Sequence, residues 1–387
     1  MALIPSLSII VPTYKEAENL PLLVPQVAAV MSAKNWTWEL IVVDDNSPDA
    51  TKHVLDQLSA RFPQLRYKIR TNDRGLSSAV LAGISMALND YVVVMDADLS
   101  HPPEAIPALI ERLLKPDTDF VVGSRYVPGG KTEDWSRLRW INSAGATALA
   151  KPLVGTLKDP MSGFFATKRE LLHDVDALNP IGYKIGLELL TKLNIDPARA
   201  AEVPITFKNR IHGESKLTLK EQFRYLEHLS RLYDYKFPKG SPRAKFLIAA
   251  GCGVAACFGT LAVLNQENVA PFISLGVGII AMTLVTLAFF VRYVHTQRAF
   301  LVMKHPYSEF LYISMAEFIT GWAFAVSTHA PLFTQMGVGL VVLLLVRYTL
   351  RKVFLHDLRG IRGTPKPSGQ YRLTLSAPQS NNNAASA

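Results

Sequence analysis

Cysteine is nearly missing from this chain: Cys252 and Cys257 are the only two among 387 residues, and both fall in one apolar run. Five positions apart on a helix they lie roughly 140° from each other, so their spacing fits no zinc or dithiol motif. Both read as small residues of a membrane helix. No Gly-x-Gly-x-x-Gly follows the first predicted strand, which excludes a Rossmann dinucleotide site. Gly129-Gly130-Lys131-Thr132 has the look of a P-loop ending, but the first glycine of that motif would stand at position 125, which is arginine. The opening Met-Ala-Leu-Ile-Pro-Ser carries no basic region ahead of an apolar core. A cleavable signal is therefore not expected, and the front of the chain is expected in the cytosol.

Acidic charge is in deficit, and the formal net charge is +9. Such an excess points to an anionic partner. The basic residues neither form a recognition-helix pattern nor alternate with stacking aromatics, which argues against nucleic acid. Many of them instead flank long apolar runs. Four runs reach the ~20 residues that a membrane helix needs, at 246–264, 269–291, 308–328 and 332–350. Lys236, Lys239, Arg243 and Lys245 precede the first; Arg292, Arg298 and Lys304 separate the second and third; Arg347, Arg351 and Lys352 close the fourth. The two remaining connections hold no lysine or arginine, so the positive-inside rule predicts four spans with both termini cytosolic. That means the cell membrane in a prokaryote or the endoplasmic reticulum membrane in a eukaryote. Glu317 lies inside the third run, either as a functional carboxylate or as a protonated, helix-paired one.

The first half reads differently. Short apolar runs at Leu7–Val11, Leu40–Val43, Leu65–Ile69, Tyr91–Met95 and Phe120–Val122 predict buried strands. Helical patterns over Glu18–Met31, Ser77–Leu88 and from Pro102-Pro103-Glu104 separate them. Alternation of this kind predicts a parallel, doubly wound α/β sheet, whose ligands bind beyond the carboxyl ends of the strands. Polar clusters sit at four such ends: Pro12-Thr13-Tyr14-Lys15-Glu16, Asp44-Asp45-Asn46-Ser47, Asp96-Ala97-Asp98 and Gly123-Ser124-Arg125. Two carboxylates one residue apart at a strand end suit a hard divalent cation that also takes substrate phosphates. Arg125 has the fork geometry to clamp a phosphate. His101, beside the carboxylates, reads as a loop residue and not as a base.

Taken in order, Ile10-Val-Pro-Thr-Tyr-x-Glu, Val42-Val-Asp-Asp-x-Ser-Pro-Asp, Gly75-Leu-Ser-Ser-Ala-Val, Met95-Asp-Ala-Asp-Leu-x-His-Pro-Pro and Val122-Gly-Ser-Arg-Tyr resemble family-2 glycosyltransferases. Asp159-Pro-Met-Ser-Gly-Phe-Phe and Gly213-Glu-Ser-Lys-Leu narrow the resemblance to polyprenol (dolichyl) phosphate mannose synthases. Ser136-Arg137-Leu138-Arg139-Trp140 only approaches the Gln-x-x-Arg-Trp pattern of processive polysaccharide synthases, with serine in place of glutamine. The resemblance covers about 7–236 and implies a GT-A fold, a GDP-mannose donor, and Mg2+ or Mn2+. It implies that Pro12, Tyr14, Glu16, Val43 and Asp45 hold the nucleotide. The donor's diphosphate would lie over Asp96, Ala97, Asp98, Ser100 and Arg125. Asp96 and Asp98 would hold the metal, with Ser100 where some relatives have glutamine, and Asp98 and Arg125 would be catalytic. Arg125, Arg139, Ser143, Arg210 and Lys216 would meet the acceptor phosphate.

The expected layout is a GT-A domain at 1–215, an amphipathic interfacial helix and linker at 216–245, four membrane helices at 246–355 and a cytosolic, Pro-, Ser- and Asn-rich tail at 356–387, largely disordered. The expected reaction is inverting transfer of mannose to a polyprenyl or dolichyl phosphate. Such a phosphate is already largely dianionic at neutral pH, since its second pKa is near ~6, and needs alignment more than a strong base. A UDP-sugar donor such as UDP-glucose, or a nucleotide-sugar-sensing flippase, remains open on sequence alone.

Overall fold

The computed structural model describes residues 4–72, 74–132, 137–173, 178, 184–193, 195–208, 219–238, 240–289 and 375. Two units divide the chain, one of Met1–Lys236 with Gly369–Ala387 and one of Phe237–Ser368.

In the first unit, β1 (Ser6–Thr13) pairs in parallel with β2 (Thr37–Asp44) and β4 (Tyr91–Val94), and β2 pairs with β3 (Leu65–Ile69). The helices α1 (Leu20–Ser32), α2 (Thr51–Arg61) and α3 (Leu76–Met86) connect these strands. A single turn of 3-10 helix at Pro103–Ala105 leads into α4 (Ile106–Leu113), then β5 (Phe120–Ser124), a two-residue β6 (Lys131–Thr132) and α5 (Arg137–Val154). β7 (Phe165–Lys168), α6 (Ile185–Lys192), β8 (Ala200–Pro204), β9 (Thr206–Phe207) and α7 (Leu219–Lys236) complete the unit. The strand order is β3-β2-β1-β4-β7-β5-β8, with β6 and β9 paired separately.

The expected all-parallel sheet is therefore mixed. β7 runs antiparallel to both neighbours, Val92 opposite Thr167 on β4 and Val121 opposite Ala166 on β5. The reason is where the chain re-enters. The turn preceding β7 brings Gly163 against Asp96, just past the carboxyl end of β4. A strand entering the sheet at that edge can only run back toward the other.

The central strands are buried on both faces, which is why they read as unbroken apolar runs. Successive residues alternate between two cores. Ile10, Ile41, Val43, Val92 and Val94 join one, while Ile9, Val11, Leu40, Val42 and Val93 join the other. Tyr225, Leu229 and Leu232 of α7 belong to the first of these cores, and Phe223 and Leu226 of the same helix are exposed. The tyrosine hydroxyls of Tyr225 and Tyr233 donate to the Ala146 and Leu149 carbonyls of α5, at 2.7 and 2.9 Å.

Between α6 and α7, Glu188 is fully buried. It accepts from Lys192 Nζ at 2.5 Å and meets His228 Nε2 at 3.2 Å. Burial pushes this carboxyl up, but the His228 hydrogen bond and the Lys192 charge outweigh it and hold the pKa at about 2. A carboxyl depressed on folding stabilises the native state above its ordinary pKa and loses that contribution as the pH falls through the depressed one. Glu188→Gln is thus expected to cost about 3 kcal/mol at neutral pH. It should also flatten the loss of stability between pH 4.5 and 2. Denaturant titrations of the full chain across that window check both.

The second unit contains α8 (Ser241–Gln266) and α9 (Pro271–Phe289). Leu247–Gln266 has a mean hydropathy of 2.2 and is long and apolar enough to cross a bilayer, the one such helix among the described residues. α8 and α9 meet at small residues: a Cβ on Gly253 would collide with Thr286 Oγ1 at 2.2 Å. The expected third and fourth spans, Glu317 and Arg347 lie outside the described residues.

Candidate active site

Because β1, β2, β4 and β5 point the same way, their carboxyl ends share one edge of the sheet, as do the polar clusters that follow them. The Asp96–Ser100 turn lies there. Leu99 takes a left-handed φ of +60°, a conformation that costs a non-glycine residue about 1–2 kcal/mol and persists only when its surroundings fix it. Two contacts do so. Asp98 Oδ1 accepts from Ser100 N at 3.1 Å and from Ser100 Oγ at 2.5 Å. The backbone N–H of Asp96 donates to His101 Nδ1 at 3.0 Å. His101 stacks on Phe164 at 5.2 Å and meets Phe207 edge-on at 5.5 Å. Burial lowers its pKa against the pull of Asp96 and Asp98, so it is a neutral acceptor that shapes the turn.

Asp98 is buried, while the Asp96 side chain is 31% exposed. A Cβ on Gly163 would stand 3.5 Å from both Asp96 carboxylate oxygens, so glycine keeps that face clear of carbon. Among the described residues no cluster of three or more His, Cys, Asp or Glu forms a closed metal cage. Two hard oxygen donors at an open edge fit Mg2+ or Mn2+, which keep positions for phosphate oxygens and water. Ser100 Oγ, offered by sequence as a third ligand, is fully buried and donates to Asp98.

On the side of β1 and β2, Pro12 and Val43 are buried, and Tyr14 and Glu16 are partly exposed. Glu16 Oε2 accepts from Asn19 Nδ2 at 2.6 Å, and the Glu16 backbone N–H donates to Thr51 Oγ1 at 3.2 Å. Asp45 Oδ1 accepts from Arg70 Nε at 2.7 Å and also from Arg70 Nη2, while Oδ2 accepts from Gly75 N at 2.7 Å. This carboxylate therefore joins the ends of β2 and β3 to the start of α3.

Arg125 is held by Asp159. Its Nε and Nη2 each donate at 2.7 Å to the two carboxylate oxygens, and its backbone N–H adds a third bond at 3.0 Å. Asp159 is fully buried, and the guanidinium lies 5.3 Å from the rings of both Tyr126 and Phe207. Burial works against the Arg125 charge, but the bonds to Asp159 raise its pKa further. Tyr126 Oη and Ser143 Oγ are 2.8 Å apart, which ties the start of α5 to the residue after Arg125. Arg139 stands four residues before Ser143 on α5, and Ala97 is buried between the two carboxylates. Arg210 and Lys216 lie outside the described residues.

Three partners here were not read from sequence. Asp159 sits in a quoted motif, yet nothing in the motif says that it carries Arg125. Glu202 on β8 accepts from the backbone N–H of Lys158 and of Asp159, both at 2.9 Å. Lys184, just before α6, donates through Nζ to the Met161 carbonyl at 2.8 Å. Burial, followed by the Arg125 charge, lowers its pKa to about 8, although Asp159 and Asp96 pull the other way.

The family model "Glycosyl transferase family 2" matches residues 8–176. A dolichol-phosphate mannosyltransferase of Pyrococcus furiosus is 46% identical over 232 residues, 59% of this chain and 64% of that protein. The chain thus spans just under two thirds of that relative's length. A dolichol-phosphate mannosyltransferase of Saccharomyces cerevisiae is also 46% identical, over 239 residues, 59% of this chain and 88% of that protein. In fold, mannosyl-3-phosphoglycerate synthase of Rubrobacter xylanophilus is similar, with a TM-score of 0.50 and 18% identity over 61% of this chain and 76% of that one.

Proposed function

Since the chain belongs to the dolichol-phosphate mannosyltransferases of glycosyl transferase family 2, we propose that it transfers mannose from GDP-mannose to a polyprenyl or dolichyl phosphate at the cytosolic face of a membrane. The observation that carries this reading is the meeting, at one sheet edge, of the Asp96/Asp98 pair and the buried Arg125–Asp159 pair. One offers anionic oxygens and the other a fixed cation, as a reaction between two phosphorylated substrates requires.

Pro12, Tyr14, Glu16, Val43 and Asp45 line the end where the nucleotide would lie, with Arg70 keeping Asp45 in place. Asp96 and Asp98 would hold Mg2+ or Mn2+, which when bound to the donor diphosphate neutralises charge on the departing nucleotide. Ser100 fixes the Asp98 rotamer by its hydrogen bond. Arg125, pinned by Asp159, sets one direction for the acceptor phosphate, Ser143 is tied to the neighbouring Tyr126, and Arg139 on the same helix would add a further cation. Arg210 and Lys216 would add cations from the segment before α7. An acceptor dianion aligned in this way attacks the anomeric carbon directly and inverts its configuration. No residue needs to remove a proton at neutral pH, which fits a neutral, buried His101.

α8 supplies an apolar anchor, and the apolar runs at 269–291, 308–328 and 332–350 would extend it to four spans, with positive residues on the cytosolic side. The test is transfer of labelled sugar in detergent from GDP-mannose and from UDP-glucose, followed by anomeric analysis of the lipid product. Retention of the donor's anomeric configuration would exclude direct displacement.

A further inference from the structure

The 158–164 turn is pinned along its length. Glu202 accepts from the N–H groups of Lys158 and Asp159 at its start, and Ser162 Oγ accepts from Phe164 N at its end, at 3.2 Å. Lys184 Nζ holds the middle through the Met161 carbonyl. Of these three, only the lysine reaches the turn from the helical layer, at the N-cap of α6. That helix is itself fixed to α7 by the buried Glu188–His228 contact.

What the turn carries makes this third pin matter. Two residues before Met161, the Asp159 carboxylate grips the Arg125 guanidinium at two points. Two residues after it, Gly163 lies against Asp96. A shift of the Met161 carbonyl would be passed to the Asp159 carboxylate over two residues, and displacements of ~1 Å at a reacting group are enough to cost about a hundredfold in rate. A methionine at 184 keeps the apolar stem but leaves the Met161 carbonyl without this donor. An arginine keeps the charge and a donor.

We propose that Lys184 is a positioning residue for the acceptor: by holding the Met161 carbonyl it keeps Asp159, and through it Arg125, in register with the acceptor phosphate. This rests on the transfer reaction proposed above, and on Arg125 meeting the acceptor.

The test compares wild type, Lys184→Met and Lys184→Arg as full-length protein in detergent. It measures kcat, KM for polyprenyl phosphate, KM for GDP-mannose, binding of GDP with Mg2+ by calorimetry, and the thermal midpoint. Lys184→Met is expected to raise the KM for polyprenyl phosphate at least fivefold and to lower kcat about tenfold. The KM for GDP-mannose and GDP binding should stay within twofold of wild type, and Lys184→Arg should recover most of both losses. Equal loss toward donor and acceptor, or a folded Lys184→Arg as impaired as Lys184→Met, would overturn the assignment. So would a Lys184→Met enzyme indistinguishable from wild type. Should Lys184→Met unfold, Glu202→Gln takes its place: it loosens the same turn from its other end and must show the same selective acceptor defect. Failure of wild type to use GDP-mannose at all would instead sink the underlying reaction, a separate and distinguishable result.

Discussion

Asp98→Asn is expected to lower mannosyl transfer by a factor of about a thousand or more while leaving the protein folded. An asparagine retains an oxygen that can accept from Ser100 N and Oγ, so the turn around Leu99 can persist. What it lacks is the negative charge that a divalent cation requires, and metal stabilisation of a departing phosphate amounts to several kcal/mol. Binding of Mn2+ in the presence of GDP, followed by calorimetry, should fall in parallel. Ser100→Ala makes the contrast. If the serine acts through Asp98, as its 2.5 Å hydrogen bond indicates, its loss should cost about 10- to 100-fold in metal affinity. An Asp98→Asn enzyme with undiminished turnover would remove the metal from the account and favour a nucleotide-sugar sensor over an enzyme.

The second large effect concerns stability and activity together. Asp159 is fully buried, and Arg125 is nearly so. Removing either partner strands the other charge away from water, which in buried pairs costs about 3–5 kcal/mol. Asp159→Leu and Arg125→Met are each expected to lose that much by denaturant titration, and to reduce transfer at least a hundredfold. The double variant should regain most of the stability, because two apolar side chains of similar volume need no partner. It should stay inactive, because no fixed cation remains to meet the acceptor phosphate. Recovery of activity in the double variant would show that the pair is only structural.

The sheet's central strands were legible because burial on both faces writes itself as a short apolar run between turn residues. Leu65–Ile69 has the same bounds in sequence and structure, and β1, β2, β4 and β5 extend or trim their runs by a few residues. The direction of β7 was not legible. Four residues carry no mark of which way they run, and that depends on the edge at which the chain re-enters the sheet. α2 was missed for another reason: among Thr51–Arg61 only Thr51, Leu55 and Leu58 are buried, too sparse a stripe to stand out in a polar segment.

The site divides along the same line. Strand-end clusters can be found from sequence because the fold rule says where to look. Pairing across the fold cannot: Arg125 and Asp159 are 34 positions apart, and the Lys184 donor reaches back 23 positions to Met161. Nor does sequence distinguish a serine that binds a metal from one that orients a metal ligand. The 2.5 Å hydrogen bond from Ser100 Oγ to Asp98 Oδ1 is visible only in the folded turn, and it supports the second role.

The central claim is that this sheet edge joins a metal-bound nucleotide sugar to a lipid phosphate. Its most direct test is transfer of radiolabelled mannose from GDP-mannose to polyprenyl phosphate by the purified full chain in detergent, with and without a chelator. The account predicts lipid-linked label that disappears with chelator, returns with Mg2+ or Mn2+, and is far weaker when UDP-glucose replaces the donor. Absence of labelled lipid from well-folded protein supplied with metal, or labelling indifferent to chelator, would contradict it.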